Sequence, residues 1–436
     1  MAMNNYHSAI IGLDAQFTNQ SVFQQDIDRV ERALYLGVEK EKPDGQLNEV
    51  GAEVTLIDCQ QAVARMASAN QVNSTDIKVV LISQNADIDA TSFVAANSEA
   101  TILDNVFVVN TLAKALLQVD SLIAKNCVVA LIGTQLFEHS VEQISPDIEQ
   151  STPATISFDQ SFAGYQACCG VAALLFSSIN FAQENNSYVY SWLKGFAVSD
   201  GTSVDDIQTT AQSALQKASV KSCEVGLLEV SALSNPKLAL QESNALIASY
   251  GNEEQLSTAI TCARSVTGEG NGFSQVLGLL RAVIALQQRY IPAISDWQQP
   301  QANELEKWQV SNFYLPTESR PWYPHVDGSA HLAAYSCLVD TSVAKNEVAG
   351  GNNYCHMILA ENKTINSSQK HPADDIRRNG FIACSELQLV LISGDNQQAL
   401  LTRLAAIEAE LDINQSSIKN IALTCFDTYQ LTAAEI

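Results

Sequence analysis

Short apolar runs alternating with helical patterns, in two successive rounds, constrain this chain more than any other feature. "SAIIGL" (8–13), "KVVLIS" (78–83), "NVFVVN" (105–110), "CVVALIG" (127–133) and "ATISFD" (154–159) read as buried strands. Helical patterns at 57–69 and 113–125 lie between them. The second round has a helix at 205–218, the strand "VGLLEVSA" (225–232) and a helix at 237–249. It finishes with "AHLAAYSC" (330–337) and "YCHMILAE" (354–361), two runs suited to a hairpin. This alternation specifies an α/β fold. Two similar halves point to an internal duplication that has decayed beyond visible identity. A chain of 436 residues is too long for one simple core.

After Glu361 the polar stretch "NKTINSSQKHPADD" reads as a linker. "ELQLVLIS" (386–393) is then a strand, 396–411 an amphipathic helix and "SIKNIALTC" (417–425) a strand. Such a unit is too small for catalysis and reads as a connector whose next neighbour lies beyond this chain. The expected organisation is a large domain over 1–365, with halves near 1–200 and 201–365, and a small α/β domain over 366–436.

The net charge of −24 argues against nucleic acid, which calls for a basic footprint, and against an anionic membrane surface. No run of about 18 apolar residues is present. The ten cysteines are scattered, with no Cys-x-x-Cys and no Cys/His pair at zinc spacing. Free thiols in apolar runs fit a reducing cytoplasm. The start, "MAMNNYHSAIIGL", lacks the pattern of a signal peptide.

The segment "ARSVTGEGNGFSQVLGLLRAVIALQQRYIPAISDW" (263–297) combines a glycine-laden lead-in with a buried helix and a proline exit. "GEGNG" (268–272) lacks a P-loop lysine and reads as a tight turn, with Gly278 allowing close helix packing. His356 reads as an interior histidine. His325 and His331 have no carboxylate or cysteine at metal spacing, so no metal is expected. Glu229 is expected to close an internal hydrogen bond or an ion pair with Arg264. Gly-x-Ser-x-Gly is absent.

"GLLRAVIALQQRYIPAISDWQQP" (278–300), "FYLPTESRPW" (313–322), "GGNNYCHMILAE" (350–361) and "IIGLDAQF" together resemble the β-ketoacyl synthases of polyketide and fatty acid synthases over residues 8–361. That resemblance implies the thiolase-like fold, with duplicated α-β-α-β-α layers, and a tail like the linker joining ketosynthase to acyltransferase. "DRVERALYLG", "CARSVTGEG", "RYIPAISDWQQP" and "DGSAHLAAYSC" resemble more closely the B-subunit family of bacterial long-chain polyunsaturated fatty acid synthases, which pairs a ketosynthase-like region with an acyltransferase.

A working ketosynthase uses a cysteine at a helix N-terminus, two histidines and a lysine. The resemblance places the first histidine's position at Ser231, the lysine's at Arg264 and the second histidine's at Glu269. Arginine cannot replace lysine in proton traffic, and a carboxylate at 269 repels a malonyl group or an enolate. "ISFDQSFAGYQACCGVAALLFSS" (156–178) is expected to hold the nucleophile turn and a central helix. Three registers stay open there: Phe162, Gln166 and Cys168, the first two preferred. The ordinary reading of Cys168 and Cys169 is small core residues on that helix. The resemblance thus implies a catalytically silent domain without a cofactor of its own. Its implied partners are other synthase subunits and phosphopantetheine-bearing carrier domains, and a homodimer is compatible. The alternatives are a malonyl-thioester decarboxylase relying on Gln166 and an acyl-binding module.

Overall fold

The computed structural model describes residues 6–19, 23–24, 30, 34, 55–83, 88–95, 105–136, 155–251, 256–323, 325, 328–340, 352–363, 392 and 396–414. The chain divides into two compact units, Met1–Gln369 and Lys370–Ile436.

The larger unit is built on one long mixed sheet. Its first-half strands are β1 (Ser8–Asn19), the short β2 (Phe23–Gln24), β3 (Lys78–Ile82), β4 (Val106–Val109), β5 (Val129–Gln135) and β6 (Cys168–Ser177). The second half supplies β7 (Ser191–Ser199), β8 (Leu227–Glu229), β9 (Thr258–Thr261), β11 (Phe313–Tyr314), β13 (Leu332–Leu338) and β14 (Tyr354–Glu361). A separate pair joins β10 (Tyr290–Ile291) to β12 (Arg320–Pro321).

The strand order exposes the duplication. One half runs β4-β3-β5-β6-β1 and the other β9-β8-β13-β14-β7, with β11 added outside β9. Pairings match position by position. β3 is parallel to β4 and β5, as β8 is to β9 and β13. β6 is antiparallel to β5 and β1, as β14 is to β13 and β7. The halves meet where Ser8–Ile10 pairs with Ser191–Leu193.

Among the described residues, five longer helices complete the layers of this unit. They are α1 (Leu56–Ala69), α2 (Leu112–Ile123), α3 (Val204–Ala218), α4 (Pro236–Tyr250) and α5 (Gly272–Gln288). α5 packs on β5 and β6 of one half and on β13 and β8 of the other, while α2 lies on β3, β5 and β14. These two helices form the middle layer. α1 covers the outer face of β1 and β6, and α3 covers that of β7 and β14. The result is five layers, α-β-α-β-α.

Alternating burial within strands shows why the layers hold. In β6, Ala172, Leu174 and Phe176 join the central core, while Val171, Ala173 and Leu175 face α1. Both faces are buried, so the strand reads as a continuous apolar run. This corrects the central helix expected within 156–178: the run from Cys168 to Ser177 is a strand, buried at all ten positions. A run apolar on every side has no period to tell strand from helix. "ATISFD" is likewise no strand. Of its described residues, Asp159 makes a single bridge to Pro300. α5 is buried from Gly272 through Leu286, because both halves of the sheet cover it.

In the smaller unit a helix, α6, spans Gln397–Asn414. The strands expected at 386–393 and 417–425 fall, but for Ile392, outside the described residues. Among the described residues no helix is long and apolar enough to cross a membrane.

Candidate functional site

Two chain segments meet at the start of α5. Glu269 N–H donates to the Gln166 carbonyl at 2.8 Å, and Cys168 N–H donates to the Glu269 carbonyl at 2.9 Å. Glycines make this approach possible. A Cβ on Gly268, whose φ is +94°, would lie 2.3 Å from the Gln166 carbonyl oxygen. One on Gly270 would lie 2.7 Å from that of Cys168. "GEGNG" thus spends its glycines on backbone contact rather than on a phosphate cradle.

The structure brings Gln166, Cys168, Ser231, Arg264 and Glu269 into one neighbourhood. The buried Arg264 sits after β9 in the short helix Arg264–Thr267. Its Nε donates to Glu269 Oε2 at 2.5 Å, and a terminal nitrogen donates to the Ser231 carbonyl at 3.0 Å. Burial is the largest influence and works against the guanidinium's charge, but Glu269 together with Tyr335, Cys262 and Cys337 outweighs it, and the group is held more firmly protonated than usual. Ser231 is fully buried. Its hydroxyl accepts from Leu338 N–H at 2.8 Å. Glu229 makes the expected internal hydrogen bonds but not an ion pair with Arg264. It accepts from Thr261 Oγ1 and Ala263 N–H, and its ion pair, at 3.6 Å, is with Arg281 rather than Arg264.

Phe162, Gln166 and Cys168 cannot mark a helix N-terminus, because a loop and a strand occupy these positions. The Phe162 ring lies edge-on to Tyr165 at 4.7 Å. Burial pushes the Cys168 thiol well above its usual pKa, with Cys169 and Glu269 adding to the effect. Such an environment disfavours the thiolate. Cys262 is pushed up to about 12, chiefly by burial. His356 accepts or donates at both ring nitrogens, to Tyr250 at 2.9 Å and Tyr354 at 3.0 Å. Among the described residues no hydrogen bond links a thiol to an imidazole.

Some residues at this site escape sequence reasoning. Tyr165 O–H donates to the Ala232 carbonyl at 2.7 Å and fills the space above Cys262. Gln275 Oε1 accepts from Leu112 N–H, at 2.8 Å, at the start of α2. Glu242, fully buried on α4, accepts from Ser231 N–H, Ala232 N–H and Ser336 Oγ. The signal was present for the last two, since each is a polar residue on an otherwise small or apolar helix face.

Burial raises the Glu242 carboxyl's pKa, offset in part by Ser336, the two amides and Arg264. Between the unfolded value of about 4.3 and the folded one, the native protein keeps a proton that the unfolded chain has lost. Stability contributed by this group is therefore present below about pH 4.3 and falls as pH rises through the folded pKa. Glu242→Gln is expected to flatten that decline in urea unfolding measured from pH 4.5 upwards. An unchanged slope would refute the assignment.

The comparisons with known proteins agree with this architecture. Residues 193–297 match the family "Beta-ketoacyl synthase, C-terminal domain". The structure is similar to the ketosynthase from module 6 of the bacillaene synthase of Bacillus subtilis, with TM-score 0.62 and 14% identity, covering 94% of this chain and 77% of that one. An oxazolomycin ketosynthase domain of Streptomyces albus gives TM-score 0.63 and 14% identity, covering 97% and 84%. The fold is the thiolase-like ketosynthase fold. Among curated proteins, the ketosynthase-like chain is 25% identical over 180 residues to mellein synthase of Phaeosphaeria nodorum, covering 38% of this chain. It is 22% identical over 327 residues to the A-type component of the polyunsaturated fatty acid synthase of Thraustochytrium sp., covering 70% of this chain. These matches span 10% and 11% of the two relatives' own lengths.

Proposed function

We propose that this ketosynthase-like domain carries out no condensation chemistry and serves as a structural and docking element of a B-type component of a polyunsaturated fatty acid synthase. Its acyltransferase would lie beyond this chain. The observation that carries the reading is the Arg264–Glu269 ion pair, 2.5 Å long, at the positions the resemblance gives to a lysine and a histidine. The pair is internally satisfied and leaves no imidazole to hold a thioester oxygen.

The duplication supports it. α2 occupies in the first half the place that α5 occupies in the second, between a parallel strand pair and the closing antiparallel strand. A nucleophile held at a helix N-terminus would then belong at the start of α2, residues 111–113. These are Thr111, Leu112 and Ala113, none with a thiol. Thr111 is fully buried and its hydroxyl donates to the Asn352 carbonyl at 2.8 Å. The partners proposed are other synthase subunits and carrier domains. The sheet edge at β4, with half-buried Phe107, Val108 and Val109, is suited to strand addition by a second copy.

Carbon dioxide release from malonyl-carrier protein tests the proposal. The expected result is no release above the protein-free background, in wild type and in Gln166→Ala alike. Release that Gln166→Ala abolishes would replace this reading with the decarboxylase. Stabilisation by long-chain acyl-pantetheine would replace it with an acyl-binding module.

A further inference from the structure

The chain enters α5 through Asn271–Gly272, an Asn-Gly pair. Asn271 has φ +45° and ψ −115°. That is the conformation of the first central residue of a type II′ turn, a place usually given to glycine. Among the described non-glycine residues with positive φ, Asn271 alone precedes a glycine.

The ψ angle decides what this backbone can do. Tetrahedral geometry sets the Cβ of an L-residue one third of a turn from its own nitrogen about the Cα–C bond. At ψ −115° the Gly272 nitrogen therefore eclipses the Asn271 Cβ. A five-membered ring through Cα, Cβ, Cγ, the Gly272 nitrogen and the Asn271 carbonyl carbon needs this arrangement. The ψ of a helix or a strand holds the next nitrogen away from Cβ. Gly272 N–H lies in the unpaired first turn of α5 and makes no hydrogen bond among the described residues, so its proton is free to leave. Glycine also brings no Cβ to obstruct the ring. Asn271 N–H donates to Glu269 Oε1 at 3.1 Å, and its Nδ2 donates to Gln135 Oε1 at 2.7 Å. The residue is half-buried, so water reaches it.

We infer that Asn271 is a self-modifying site that deamidates through a cyclic imide. Solvent hydroxide takes the Gly272 N–H proton, and the nitrogen's electron pair attacks Asn271 Cγ. The N–Cγ bond forms, the Cγ–Nδ2 bond breaks, and ammonia leaves carrying a proton from solvent. Water then opens the ring at Cγ to give aspartate, or at the backbone carbonyl to give isoaspartate. One water is consumed and one ammonia released, with nothing oxidised or reduced. Either product loses the donor that serves Gln135. Each also adds a carboxylate near the Arg264–Glu269 pair, so the charge of this region changes as the protein ages.

The folded full chain would be incubated at mildly alkaline pH beside a synthetic peptide of residues 266–276. Peptide mapping by mass spectrometry follows the acid form at 271 separately from Asn379–Gly380, the other Asn-Gly pair in the sequence. The expected result is deamidation at 271 at least threefold faster in the folded chain than in the peptide, because the backbone is already set for ring closure. Asn271→Gln, whose ring would need a sixth atom, is expected to keep the circular dichroism and lose the mass gain. A ratio below threefold would overturn the inference. So would a mass gain that persists in Asn271→Gln, since it would belong to another residue of the fragment, such as Gln275.

Discussion

Arg264→Ala is expected to lower unfolding free energy by about 3 kcal/mol, at the lower end of the 3–5 kcal/mol seen when one partner of a buried ion pair is removed. The guanidinium is 4% exposed and ties together Glu269 and the Ser231 carbonyl. Removing it strands both acceptors. Glu269, 23% exposed, recovers part of its hydration, which keeps the loss from the upper end of the range. The double variant Arg264→Met with Glu269→Gln removes both charges, and is expected to return most of the loss, because neutral replacements of a buried pair are often harmless. Urea unfolding of Arg264→Met, of Glu269→Gln and of the double variant measures the coupling, expected at about 1–3 kcal/mol. A cost below about 1 kcal/mol for Arg264→Ala would show that the pair behaves like an exposed one.

Gly268→Ala is expected to be as damaging, by a different route. The residue sits at φ +94° and ψ −166°, a conformation essentially reserved for glycine. That alone costs about 1–3 kcal/mol for any other residue. The added methyl would also press on the Gln166 carbonyl oxygen at 2.3 Å, and this atom is backbone held by Glu269 N–H. Overpacking adds about 1–3 kcal/mol. The sum, about 2–6 kcal/mol, would appear as a large fall in Tm. Gly251→Ala makes the comparison clean: that glycine also has positive φ, +70°, but open space around its Cβ position, so its loss is expected to reflect conformation alone. Equal losses at the two sites would remove the case for a backbone clamp between the segments.

What was legible in the sequence follows from where a signal repeats with a definite period. α1, α2, α3 and α4 stand close to their expected bounds, because each alternates small or apolar residues with polar ones at helical spacing. The β13–β14 hairpin was equally plain. β6 was not, because ten buried residues in a row carry no period, and reading that run as a helix put a helix N-terminus where a loop and a strand lie. β7, "SWLKGFAVS", went unread because Lys194 and Gly195 interrupt its apolar run. The meeting of Ser231, Arg264 and Glu269 was inferred from spacing against a known pattern. The partner of Glu229 was not, since Arg281 lies on α5 and only folding brings it within 3.6 Å.

The amide at the head of α2 carries a lesson for anyone who would build a reactive centre at that position. Its hydrogen is already committed to the side chain of Gln275 across the pseudo-symmetric core. Grafting reactive side chains there would leave that donor occupied, so it could not also stabilise an anion. Such engineering would have to begin on the opposite helix, by clearing the glutamine, before any reactive group was installed.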